Sequence, residues 1–137
     1  MKIAQVSETF AVAPQILPGD MPPLAEAGYR TVICNRPDGE EPGQPSVDAL
    51  RAAAEAAGIA FHHIPVSGGD FPQVAIGAFA RVREESQGKV LAFCRSGTRS
   101  ITLDALANVT NESAETRLER ARHAGYDLSA MRDRLGE

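Results

Sequence analysis

The sequence predicts a single α/β domain over residues 1–137, built on a central, mostly parallel sheet of four to five strands with helices on both faces. Three observations lead there. Short apolar, β-branched runs alternate with amphipathic stretches of helical period, the pattern of βαβ units. Glycines at 28, 58 and 88 fall between a helical stretch and the next strand, where a helix is expected to stop. No internal repeat or low-complexity linker divides the 137 residues, which is about one domain's length.

The elements follow in order. The apolar run Phe10–Ala13 is the first strand. Gly19-Asp20-Met21-Pro22-Pro23 reads as a helix start, with Asp20 as cap and proline in the first turn, and this short helix stops at Gly28. Residues 30–35 (RTVICN) form a buried strand, and residues 37–43 a turn-rich loop. Ser46 caps a helix with Val47, Leu50, Ala54 and Ala57 along one face, ended by Gly58. Residues 59–66 are the third strand, followed by the loop Ser67-Gly68-Gly69-Asp70. Ala75, Ala78, Phe79 and Val82 form the core stripe of the next helix, closed by Gly88, and Lys89–Phe93 is the fourth strand. From Cys94 the chain runs straight into a helix with Ile101, Ala105 and Val109 inward. Residues 111–137 are a C-terminal helical extension packed on the domain, in two stretches, 112–123 and 128–135, separated by Gly125.

Composition narrows the functional classes. At 43% apolar and 23% charged residues the chain can form a core, which excludes a disordered protein. A net charge of −4 argues against a nucleic-acid partner. The N-terminus has no apolar run of signal-peptide type, and no stretch is long enough to span a membrane, so the expected location is cytoplasmic. Two cysteines, Cys34 and Cys94, make no disulfide scaffold and belong to no CxxC. His62 and His63 are strand neighbours on opposite faces, and no cluster has metal-ligand spacing, so neither a metal nor another cofactor is expected.

The chemistry concentrates in Cys94-Arg95-Ser96-Gly97-Thr98-Arg99-Ser100. A buried strand delivers a cysteine into a short loop, and a helix begins at once. In a parallel sheet that edge is where ligands bind. Gly97 permits a backbone turn other residues resist, and the loop N–H groups with the helix N-terminus form an anion nest. The same field favours the reactive thiolate of Cys94, and Arg99 offers a planar fork to an oxyanion. Arg95, Ser96, Gly97, Thr98 and Ser100 complete a candidate anion-binding loop; Arg36, at the end of its strand, is placed at the rim or in an ion pair with Asp38 or Glu40. Asp70 is either a general acid on the glycine-rich loop or a helix cap, and Cys34 reads as core filling or a resolving thiol.

This loop, Cys then four residues then Arg, resembles the active-site loop of rhodanese-type sulfurtransferases. It is also similar to the phosphate-binding loop of cysteine-dependent tyrosine and dual-specificity phosphatases, which has five intervening residues and a His where Phe93 stands here. Together with residues 30–40 (RTVICNRPDGE) and His63-Ile64-Pro65-Val66, it resembles the phosphatase-like domain of the beta-lactamase-hydrolase-like proteins over roughly residues 8–110. That resemblance implies a cysteine-phosphatase-like fold, names sulfur transferases among its members, and implies a persulfide dioxygenase as partner.

Two enzymes and a sensor fit these residues. A sulfur transferase would carry a sulfane sulfur from thiosulfate or a persulfide on Cys94, and the tight four-residue ring favours this reading, because a terminal sulfur is smaller than a phosphate. A phosphatase would attack a phosphoester with Cys94, hold the phosphoryl oxygens with Arg99 and the loop, and protonate the leaving group from Asp70. A non-catalytic redox or anion sensor would use Cys94 alone.

Overall fold

The computed structural model describes residues 1–136. Five strands form one sheet in the order β1-β2-β5-β3-β4: β1 (Ala4–Gln5), β2 (Phe10–Ala13), β3 (Tyr29–Cys34), β4 (Ala60–His63) and β5 (Lys89–Phe93). β1 runs antiparallel to β2, and every other pairing is parallel. β5 is central, between β2 and β3, so the residue after it emerges in the middle of the carboxyl edge. Parallel strands are covered on both faces and read as unbroken apolar runs. β5 shows this directly: Val90 and Ala92 face one core while Leu91 and Phe93 face the other.

The helices divide accordingly. α1 (Met21–Glu26) and α2 (Val47–Ala56) cover the Leu91 and Phe93 face through Met21, Leu24, Val47, Leu50 and Ala54. α3 (Gln73–Glu85) and α4 (Thr98–Ala107) cover the other through Ala75, Ile76, Phe79, Ile101, Leu103 and Ala105. α5 (Ala114–His123) and α6 (Arg132–Leu135) extend that second core with Leu118, Ala121, Leu128 and Leu135. Arg117 stitches them to it, donating to the Ala105 carbonyl at 2.6 Å and the Leu135 carbonyl at 2.8 Å. No helix among the described residues is long and apolar enough to cross a membrane.

Several boundaries differ from expectation, each for a local reason. Asp20 does not cap α1: positions two and three of that helix are Pro22 and Pro23, which have no N–H to give, so its carboxylate accepts the Leu17 N–H at 2.8 Å instead. The third strand ends at His63 rather than 66, because its partner β3 ends at Cys34, the register partner of His63; Ile64 and Val66 still donate to the carbonyls of Cys34 and Asn35. The core stripe of α3 is Ala75, Ile76 and Phe79; Ala78 is exposed. α4 stops at Ala107, because Asn108 turns left-handed at φ 46°, so Val109 lies outside it. The last predicted helix is a 3₁₀ turn, Ser129–Met131, followed by the short α6.

Candidate active site

Cys94 leaves the sheet directly after β5. Its N–H still reaches the Ala13 carbonyl of β2 at 3.4 Å, and Gln15 N–H reaches the Arg95 carbonyl at 3.3 Å, so the loop is anchored to the β2 edge. Gly97 then takes φ +95°, the left-handed region that favours glycine, and serves as the N-cap of α4. With that turn the Gly97 N–H donates to Cys94 Sγ at 3.0 Å. The thiol, itself only 1% exposed, therefore sits at the positive end of a ten-residue helix.

Arg99 projects from the first turn of α4. Its Nη1 donates to Glu40 Oε2 and to the Val66 carbonyl, and its Nη2 to Glu40 Oε1, all at 2.9 Å. The guanidinium thus already holds a carboxylate in the two-pronged geometry that fits a phosphoryl group. The Arg99 hydrogen bond, helped by Arg36, holds the Glu40 carboxyl down to about 2, and Glu40 in turn raises Arg99, with a further contribution from Cys94.

Arg36 is buried rather than placed at an open rim. It donates to Glu40 Oε1 at 2.9 Å, Gln15 Oε1 at 2.9 Å and Glu41 Oε1 at 2.5 Å. Arg95 points into solvent and pairs with the same Glu41 at 2.8 Å. The loop between β3 and α2 therefore hands two carboxylates to three arginines. Of the loop hydroxyls, Ser96 and Thr98 bond to one another at 3.2 Å. Ser100 is fully buried and gives its proton to Asn35 Oδ1 at 2.8 Å, while Asn35 Nδ2 donates to the Ile64 carbonyl at 2.8 Å. That chain ties α4 to the ends of β3 and β4, and uses the Ser100 proton away from the loop interior.

Asp70 lies exposed on the loop after β4, whose Val66 carbonyl accepts from Arg99. It caps no helix, since the N-cap of α3 is Pro72 and no side chain caps it. Cys34 is buried on the α1/α2 face, with burial pushing its thiol up to about 11. His63 bonds through Nε2 to the Arg36 carbonyl at 2.9 Å, and no group of three His, Cys, Asp or Glu among the described residues could hold a metal ion. Two contributors are absent from the motif reading. Glu40 is one; Tyr126, whose hydroxyl donates to the Ser96 carbonyl at 2.9 Å, is the other. Both meet the loop across long stretches of chain, and only Gly125, a helix-stop glycine just before an aromatic, hints at Tyr126 in the sequence.

A cysteine at a helix N-terminus, an arginine in the first turn and a parallel sheet behind them define a cysteine-phosphatase-like domain. The chain belongs to the family described as beta-lactamase hydrolase-like protein, phosphatase-like domain, whose model matches residues 2–111. A beta-lactamase hydrolase-like protein from Xylella fastidiosa is 41% identical over 130 residues, covering 93% of this chain. The chain spans 30% of that relative's length. Among solved structures, a candidate phosphatase from Neisseria meningitidis superposes with a TM-score of 0.86 at 34% identity, covering 98% of this chain and 96% of its own. The structure named Tk-PTP in the active form has a TM-score of 0.74 at 20% identity, covering 98% and 92%, a likeness of fold.

Proposed function

We propose that the chain is a cysteine-dependent phosphomonoester hydrolase. The observation that carries this reading is the joint geometry of Cys94 and Arg99. The loop and first turn of α4 together present a sulfur receiving a backbone N–H and a fork that already grips an oxyanion. The likeness to the Neisseria candidate phosphatase supports it. Sulfur transfer rests on the four-residue spacing and on the sulfur transferases that the family resemblance names, and neither structure named above bears a sulfur-transfer name.

The reaction runs in two displacements. Cys94 thiolate attacks phosphorus, an S–P bond forms, and the P–O bond to the leaving group breaks. The loop N–H groups and the Arg99 edge not engaged by Glu40 hold the non-bridging oxygens as charge develops on them. Asp70 is the general acid toward the departing oxygen. Water then attacks the cysteinyl-phosphate, Asp70 takes back a proton, and inorganic phosphate leaves with the thiolate restored.

The test is a paired assay of the purified protein. An aryl phosphate should release its phenol, Cys94→Ser should abolish that release with the fold intact, and Asp70→Asn should lower kcat by about 10²-fold. Thiocyanate from thiosulfate and cyanide, without phenol release and without an effect of Asp70→Asn, would overturn the phosphatase reading in favour of sulfur transfer.

A further inference from the structure

The C-terminal segment meets the Cys94–Arg99 loop through Tyr126, and the geometry there is specific. α5 ends in a Schellman motif. Gly125 turns left-handed at φ +98°, its N–H donates to the Arg122 carbonyl at 2.9 Å, and the Tyr126 N–H donates to the Ala121 carbonyl at 2.9 Å. That motif fixes where the Tyr126 side chain starts. The ring then lies flush on the loop. A methyl group built at Gly97 would collide with the Tyr126 hydroxyl and stand 2.9 Å from Cζ.

The Tyr126 hydroxyl donates to the Ser96 carbonyl at 2.9 Å, and the Gly97 N–H donates to Cys94 Sγ at 3.0 Å. These two groups belong to one peptide unit. In a planar trans peptide the C=O and N–H point opposite ways, so whatever holds the oxygen outward holds the N–H on the sulfur. The alternative orientation of this unit is open to the chain. A flip would carry Gly97 from φ +95° toward the ordinary negative region, which glycine enters as readily, and would turn the Ser96 carbonyl onto the sulfur. A carbonyl there would repel a thiolate, where the N–H stabilises it.

We propose that Tyr126 is a positioning residue: its hydroxyl selects the orientation of the Ser96–Gly97 peptide that keeps the Gly97 N–H on Cys94. The assignment rests on the reading of Cys94 as nucleophile and lies outside residues 2–111, which the family model matches. Burial raises the Tyr126 phenol above its ordinary value, with the Cys94 charge adding to this, so the hydroxyl stays a donor across the physiological range. The Arg99 guanidinium and the Cys34 thiol are the other titratable groups that interact with Cys94, and neither contacts this peptide through a hydrogen bond.

The test is Tyr126→Phe, which removes the donor and keeps the ring. The expected result is a kcat on an aryl phosphate lowered by about 10-fold, short of the 10²–10³ that deletion of a donor costs. KM should stay within about twofold and the melting temperature within a few degrees. The ultraviolet absorbance of the thiolate at neutral pH, taken as the difference from Cys94→Ser in each background, should fall. An unchanged kcat, a change confined to KM, or a loss of kcat that tracks a large fall in melting temperature would each overturn the proposal. If the parent protein hydrolyses no phosphate ester, the thiolate absorbance alone decides: a fall upholds the role of Tyr126, equality overturns it.

Discussion

Arg99 and Arg95 stand four residues apart in the same loop, yet their surroundings assign them different work. The Arg99 side chain is 14% exposed and held at two nitrogens by Glu40 and the Val66 carbonyl, whereas the Arg95 side chain is 68% exposed and pairs with Glu41. An arginine with its rotamer already fixed loses little freedom on meeting an anion. Arg99→Ala should therefore lower kcat/KM by about 10²–10³, and Arg95→Ala by no more than a few fold, in steady-state kinetics on an aryl phosphate. The reverse order would mean that the substrate approaches from the Arg95 side. Glu40 makes a second prediction at this scale. Its folded-state value of about 2 lies below the ordinary 4.5, so its ionised form stabilises the native state. That stability is complete above pH 4.5 and disappears as pH falls from 4.5 to about 2. Glu40→Gln should unfold at lower urea than the parent at neutral pH, and the gap should close across that acid window. The Cys94–Arg99 loop was legible in the sequence because its parts are contiguous. Glu40 was legible only as a neighbour of Arg36, since its contact with Arg99 spans 59 residues.

At the scale of elements, the working unit is β5, the loop and α4, and Gly97 is its hinge point. The left-handed turn costs a non-glycine residue about 1–2 kcal/mol, and here the added methyl would also strike Tyr126. Gly97→Ala should destabilise the protein by at least that amount and lower kcat by about 10²-fold, because relief of the strain requires the peptide to leave the sulfur. Denaturant midpoints and kinetics on the same sample check both. Element types followed from apolar period with little trouble, since both sheet faces are covered. What the period could not supply were features set by partners. β1 is two residues long, too short to show alternation, and exists because Ala4 and Gln5 meet Val12 and Ala11. The α3 face turned toward the sheet includes Ile76 rather than Ala78, so the larger side chain takes the buried position. Ser100 looked like an anion donor because it sits in the motif; its partner Asn35 lies 65 residues away.

For the whole molecule, the site is a local exception to the charge of the chain. Three arginines, 36, 95 and 99, face two glutamates, 40 and 41, so this cluster is net positive in a protein of net charge −4. With a Debye length of about 8 Å at physiological salt, an anion gains from the cluster only once it is nearly bound. Under the phosphatase reading, orientation of the loop then matters more than long-range attraction, and the segment beyond residue 111 meets that loop through the Tyr126 hydroxyl. That segment is part of the core: Leu118, Leu128 and Leu135 are each about 5% exposed or less and pack in the same cluster as Val90 and Ile101. Arg134 also donates to the Phe71 carbonyl at 2.5 Å, joining α6 to the loop ahead of α3. Each buried leucine is worth about 2–5 kcal/mol when truncated to alanine, so losing three of them approaches or exceeds the 5–15 kcal/mol that holds a domain together. A chain ending at Asn111, the limit of the family match, should therefore show no cooperative unfolding transition and no near-ultraviolet dichroism. Leu128→Ala in the full chain should remain folded and lose about 2–5 kcal/mol by urea titration. A cooperative, active 1–111 fragment would separate the catalytic loop from its C-terminal support and contradict the role given to Tyr126 as well.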